Sequence, residues 1–121
     1  YFPKVLSFDT SAGLVGWGSS TFDAFYPLQS LSATYDGTSG AGISNIGRAS
    51  DKQMDVLLKK LNLAEDLKER EAIARQALSL EQKRVLHIPL LQPMFSWAMK
   101  KNIDPIVRPD NKLTLEWIVM H

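Results

Sequence analysis

Apolar side chains recur with the period of an α-helix in the middle of the chain. Four of them fall on one face of a helix of about three turns: Met54, Leu57, Leu58 and Leu61. This stripe predicts a helix over residues 51–61 whose apolar face is buried in a core. Ser50 followed by Gln53 fits a capping box, in which the serine oxygen accepts a hydrogen bond from a backbone N–H of the first turn. We therefore expect the helix to begin directly after Ser50.

The next segment, residues 65–84, has the same period and the charge distribution of a helix. Asp66 lies at its start and Arg84 at its end, which suits the helix dipole. Asp66 and Arg70 are four positions apart, a spacing that predicts an ion pair on the solvated face. The apolar face is formed by three residues: Ile73, Ala77 and Leu80. Together these features predict a second amphipathic helix.

The remainder of the chain lacks this period. Residues 12–17, AGLVGW, are apolar and bounded by turn formers, which predicts a short buried strand. Residues 18–50 are rich in Gly, Ser and Thr and predict a long loop, with one helical turn allowed around FDAFYPLQSL. Residues 85–121 are rich in branched and aromatic side chains and include Pro89 and Pro93, which predicts strands broken by bends. The chain is thus expected to form a single α/β unit.

Composition narrows the classes of function. The 121 residues are 45% hydrophobic and 22% charged, as in an ordinary globular domain. With 14 Lys and Arg against 13 Asp and Glu the formal charge is +1, and no basic run is interleaved with aromatics, so we expect no nucleic-acid partner. The absence of cysteine excludes disulfides, thiolate zinc sites and cysteine nucleophiles. No apolar stretch approaches the roughly 18 residues that a membrane-spanning helix needs.

Side chains that could carry catalysis or bind a metal are few. The two histidines, His87 and His121, belong to no metal-binding spacing, and we predict no catalytic residue, no metal site and no cofactor. A histidine within an apolar run such as LHIPLL is usually partly buried with a satisfied ring. An alternative is a small hydrolase that uses His87 with Asp23 or Asp55. A second alternative is a stand-alone interaction module whose YDGTSGAG loop binds a protein partner.

The motif Gly16-Trp17-Gly18 ends the first apolar run and precedes the polar triplet SST. Glycines allow another backbone to approach closely, and an indole suits either a core or the wall of a ligand site. Residue type alone favours the core, because large aromatic side chains are mostly buried.

The order of these elements resembles the C-terminal part of the family 5 extracellular solute-binding proteins, the dipeptide, oligopeptide and nickel receptors of bacterial ABC transporters. Four stretches carry the likeness: GLVGWG, NIGRASDKQMDVLLKKL, DLKEREAIARQALSL and the HIPLL run that follows. Beyond the glycine-tryptophan motif, the matching landmarks are Asn45, Ser50, Asp55, Leu57, Leu58, Asp66, Arg70, Ile88, Pro89 and Leu90. The likeness covers nearly all of the chain but only the last portion of a family member, and it depends on the ordered set of landmarks.

The resemblance implies a fragment of the second lobe of a periplasmic-binding-protein type II fold, with two helices packed on a small mixed sheet. In such receptors the residues around the tryptophan face a cleft between two lobes. The ligand-binding positions carried over are Gly16, Trp17, Gly18, Ser19, Ser20 and Asp23. Peptide-binding relatives have an aspartate for the peptide ammonium at the position of Ser20. Because serine lacks that charge, peptide, metal chelate, opine and sugar all stay open as ligands.

The resemblance also implies a place in the cell and a set of partners. A full-length receptor would be exported, as a periplasmic protein, lipoprotein or secreted receptor, and would deliver its solute to an ABC permease by hinge closure without chemical conversion. Family members begin with an export signal and a first lobe, so we expect the chain that starts at Tyr1 to be a piece of a longer protein. Apolar surfaces left by the missing parts would favour a homodimer of the piece.

Overall fold

Residues 1–7, 9–18, 21–108 and 110–121 are described by the computed structural model. The protein combines helices with a small two-stranded antiparallel sheet and is broadly α/β. Its chain divides into two compact units, residues 1–88 and 89–121, where the sequence predicted one.

The described part of residues 1–88 contains four helices: α1 at Phe2–Leu6, α2 at Phe25–Leu31, α3 at Lys52–Leu63 and α4 at Leu67–Arg84. Compared with the predicted helices, α3 begins one residue later and ends two residues later, and α4 begins two residues later and ends where predicted. Within the predicted loop over residues 18–50, α2 forms where one helical turn was allowed, and FYPLQSL buries Leu28 against α3.

α3 and α4 form an antiparallel pair with α2 against one side. Arg84 at the end of α4 lies 2.9 Å from Asp51, which precedes α3. The predicted stripe of α3 is in the core, with Met54 completely buried and Leu61 nearly so. Ala77 of α4 is also completely buried, and its small side chain lets the two helices approach closely.

The cap of α3 differs from the predicted one. Oδ1 of Asp51 accepts from the backbone N–H groups of Gln53 (2.8 Å) and Met54 (3.3 Å). The Ser50 hydroxyl lies instead 2.9 Å from the Thr34 hydroxyl. A carboxylate at the extended residue before the helix accepts from two amides and adds negative charge at the positive end of the helix dipole, so it is the stronger cap.

The predicted buried strand at residues 12–17 is wrong. These residues adopt no regular secondary structure, and Leu14 and Val15 are 71% and 41% exposed. An apolar run becomes a strand only where a neighbouring strand takes its backbone hydrogen bonds, a condition that the run itself cannot show. The segment is fixed by side chains instead: the Tyr1 hydroxyl donates to the Leu14 carbonyl, and Gly13 packs so closely on Ile46 that a Cβ would lie 2.7 Å from its Cδ1.

In residues 89–121, the strands β1 (Ile103–Asp104) and β2 (Val119–Met120) pair antiparallel, with Ile103 opposite Met120. A 3₁₀ turn at Leu115–Trp117 leads into β2. The predicted strands over residues 85–121 therefore shrink to two residues each, and the predicted mixed sheet is an antiparallel pair. Residues 86–100 adopt no regular structure, because their prolines remove backbone donors and no strand of the described residues pairs with them.

Within the described ranges, no helix combines the length and the apolar character needed to cross a bilayer.

Met54→Ala tests the core described above. Loss of the fully buried side chain is expected to lower the free energy of unfolding by about 2 to 5 kcal/mol. Val56→Ala in the same helix is the control, because Val56 is 51% exposed and its truncation is expected to change stability by less than about 0.5 kcal/mol. Urea unfolding followed by circular dichroism measures both, and equal effects of the two substitutions would contradict the assignment of the buried face.

Candidate functional site

Trp17 lies at the surface and not in the helical core that residue type favoured. Its side chain is 37% exposed and packs against Tyr26 of α2, with ring centroids 5.6 Å apart and planes inclined by 39°. Tyr26 is itself 40% exposed, so the two rings form a continuous aromatic surface that is half open to solvent. Such a surface offers an apolar face to a flat or apolar ligand group.

The glycines on either side of Trp17 leave the main chain accessible. A Cβ built on Gly16 or Gly18 would meet no heavy atom within 4 Å. Neither glycine is therefore required by packing within the chain, and both leave space for an approaching ligand backbone. Two further predicted ligand-binding residues, Ser19 and Ser20, lie outside the described residues.

The carboxylate of Asp23 binds two groups of the chain itself. Its Oδ1 accepts from the Phe25 N–H at 2.7 Å, at the start of α2, and its Oδ2 accepts from Nη2 of Arg70 at 2.8 Å. The Arg70 hydrogen bond, followed by that from Phe25, holds the pKa of the Asp23 carboxyl below its ordinary value. Both carboxylate oxygens are engaged, so Asp23 positions α2 and is not a free charge for a ligand.

Arg70 is the residue whose role the sequence analysis missed. Its Nη1 donates to the carbonyls of Leu61 (2.8 Å) and Ala64 (2.9 Å) at the end of α3, while Nη2 binds Asp23. The predicted ion pair with Asp66 is wrong, because Asp66 caps α4 by accepting from the Glu69 N–H. The only sequence signal was the occurrence of Arg70 among the family landmarks.

His87 has a different partner from those proposed for a hydrolase. Its Nδ1 lies 2.7 Å from Oε1 of Glu81, and this contact is the main reason that the pKa of the Glu81 carboxyl is lowered despite burial. Asp55 accepts instead from the N–H (2.9 Å) and hydroxyl (2.7 Å) of Thr34. Since Asp23 binds Arg70, neither proposed aspartate orients the His87 ring.

The Gly/Ser loop is folded by its own hydrogen bonds. Asp36 accepts from the hydroxyl (2.7 Å) and N–H (2.9 Å) of Thr38, and these contacts, the hydroxyl first, lower the pKa of Asp36 to about 2. The buried Asn45 donates to the carbonyls of Ala33 and Ala49. Gly42 has a φ of +62°, and a Cβ there would lie 2.4 Å from the Ala33 carbonyl oxygen, so only glycine fits.

In the part of the chain that the structure describes, no group of three or more histidine and carboxylate side chains could hold a metal ion. Comparison with models of protein families, with curated proteins and with solved structures gives no match to this chain.

Arg70→Ala is expected to lower the free energy of unfolding by about 2 to 4 kcal/mol, because three charge-assisted hydrogen bonds are lost at a side chain that is 23% exposed. Arg75→Ala on the same helix is the matched control. Arg75 pairs with Glu71 at 2.6 Å, but its side chain is 76% exposed, so its loss should cost less than about 1 kcal/mol. Urea unfolding compares the two, and a small effect of Arg70→Ala would contradict the described role.

Proposed function

We propose that the chain is part of a solute-binding receptor of an ABC import system and contributes one wall of a ligand cleft. The observation that carries the proposal is the half-exposed indole of Trp17, supported by Tyr26 and flanked by glycines that leave the backbone open. The ordered sequence landmarks point to the family 5 solute-binding proteins. That family would imply a lobe of a periplasmic-binding-protein type II fold. The full-length receptor would then act in the periplasm or at the cell surface.

The aromatic surface at Trp17 and the main chain beside it indicate how a ligand would be bound. The Trp17–Tyr26 surface would take an apolar or flat group of the ligand, and main-chain groups near Gly16 and Gly18 would bind polar groups of an extended molecule. Asp23 is engaged by Arg70 and Phe25, so it would not bind a ligand ammonium. A peptide or related small molecule recognised through its backbone suits this arrangement, without a requirement for a free N-terminus.

The proposed mechanism is binding and release without covalent chemistry. Closure of two lobes would bury the solute against Trp17, and opening at the permease would release it. The alternative of a hydrolase gains no support, because His87 pairs with Glu81 and not with the aspartates proposed for it. Self-association of the chain as a homodimer stays a prediction from the sequence.

The proposal is tested by adding peptides to the isotopically labelled chain and following the indole N–H signals by NMR. Trialanine and N-acetyl-trialaninamide are the two probes, which differ in the free ammonium group. Both are expected to shift the Trp17 Nε1–H resonance in NMR spectra with similar affinity, because Asp23 is not available to the ammonium.

Trp17→Ala should weaken binding of both peptides about tenfold, through loss of the stacking face, as measured by calorimetric titration because this variant lacks the Trp17 indole signal. Trp97→Ala is the control, because Trp97 has the same 37% exposure and is not one of the proposed ligand-binding residues, and the affinity of this variant should equal that of the unaltered chain. Equal losses for the two variants, or an unshifted Trp17 resonance at saturating peptide, would refute the proposal.

A further inference from the structure

An apolar segment, residues 89–101, belongs to the second compact unit and takes no part in the proposed cleft. Every one of its residues is exposed, and Met94 is the most exposed at 94%. A contiguous exposed apolar patch on a protein usually marks a surface that binds another molecule or a membrane. The large apolar side chains that the segment exposes are Leu90, Leu91, Met94, Phe95, Trp97 and Met99.

The charges on this segment are all positive. It ends in Lys100 and Lys101, and the sequence has no Asp or Glu between Glu81 and Asp104. Among the described residues neither lysine has an ion-pair partner, and Asp104, the first carboxylate that follows them, pairs with His121 at 3.0 Å. Two unpaired ammonium groups therefore follow the apolar side chains directly along the chain, and their charge complements an anionic surface.

The backbone of the segment favours a lipid surface over another protein as its partner. Residues 89–100 adopt no regular structure, and Pro89 and Pro93 lack the N–H groups that pairing with a strand of another protein would use. A membrane interface makes no such demand, because water among the lipid headgroups satisfies backbone N–H and C=O groups. The residue types agree, since tryptophan is enriched at the boundary between lipid and water and lysine is attracted to anionic lipids.

We propose that residues 89–101 bind the surface of an anionic lipid membrane. The side chains of Met94 and Phe95 would enter the boundary between the headgroups and the acyl chains, while Lys100 and Lys101 would lie among the lipid phosphates. Trp97, between these two pairs, would lie at the level of the headgroups. The segment is much shorter than the roughly 20 residues that a spanning helix needs, so it would lie on the membrane and not cross it.

This inference does not depend on the proposed solute-binding function. It involves neither Trp17 nor the glycines beside it, and lipid binding and peptide binding are measured with different ligands and different variants. Failure of one proposal is therefore distinguishable from failure of the other.

Sedimentation of the whole chain with lipid vesicles tests the proposal without any substitution. Vesicles of phosphatidylcholine alone are compared with vesicles that also contain phosphatidylglycerol, which is anionic. The two lysines are expected to make binding to the anionic vesicles about 30-fold tighter. That preference should fall as salt is added, because salt screens exposed charges. Equal binding to both kinds of vesicle, or binding to neither, would overturn the proposal.

The double variant Met94→Ser/Phe95→Ser tests the apolar contribution. It is expected to weaken binding to anionic vesicles at least about tenfold, because both side chains would leave water on binding. Leu63→Ser/Leu67→Ser is the control, because these leucines are 78% and 80% exposed and lie outside the segment. Circular dichroism checks that both variants fold. Equal losses in the two double variants would show general apolar adhesion and refute the segment.

The double variant Lys100→Gln/Lys101→Gln tests the charge. It should remove the preference for anionic vesicles and leave the weaker binding to phosphatidylcholine unchanged. Lys59→Gln/Lys60→Gln, which alters two adjacent exposed lysines of α3, is the matched control and should keep the preference. If both pairs of substitutions reduced the preference equally, the effect would be general charge attraction and the proposal would fail.

Analytical ultracentrifugation without lipid separates a lipid surface from a contact between copies of the chain. Sedimentation that is the same for the unaltered chain and for Met94→Ser/Phe95→Ser would support the lipid surface. Self-association that this variant abolishes, in a chain that binds no vesicles, would assign the segment to a second copy and overturn the proposal.

Discussion

The guanidinium of Arg70 is the contact on which the arrangement of residues 1–88 depends. One side of it binds two carbonyls at the end of α3, groups that a helix end otherwise leaves without intrahelical partners. The other side binds Asp23, whose second oxygen fixes the first turn of α2. A single planar donor therefore connects the α3–α4 pair with Asp23 and the first turn of α2. Arginine suits this position because its donors diverge in a rigid plane and its charge does not titrate.

The landmarks behind the family resemblance have structural roles of the same kind. Asn45 closes the loop after α2, Asp55 fixes Thr34, and Asp66 caps α4. None of these polar groups is directed to a solute by its observed hydrogen bonds. Their observed roles are structural, whereas the ligand-binding role of Trp17 and its neighbours is a proposal. This is why the resemblance supports a proposal about the class of protein and leaves the ligand open.

Local sequence was sufficient for α3 and α4, because an apolar stripe and the charges at the ends are contained within each segment. It was insufficient wherever the outcome depended on a distant partner. AGLVGW and the segment after α4 have strand-like composition, yet a strand requires a neighbour that no composition reveals. Arg70 illustrates the same limit: Asp66 is four residues away, but Asp23, 47 positions away, is the residue that binds it. The surface position of Trp17 likewise depends on its contact with Tyr26 of α2, nine positions away, which the composition of neither segment reveals.

A double-mutant cycle on Asp23 and Arg70 tests the central claim most directly. The free energy of unfolding is measured for the unaltered chain, Asp23→Asn, Arg70→Gln and the double variant. If the contact ties α2 to the helix pair, the effects of the single substitutions are non-additive, with a coupling energy of about 1 kcal/mol or more. Effects that add to within about 0.3 kcal/mol would show that the two side chains act independently and would contradict the account.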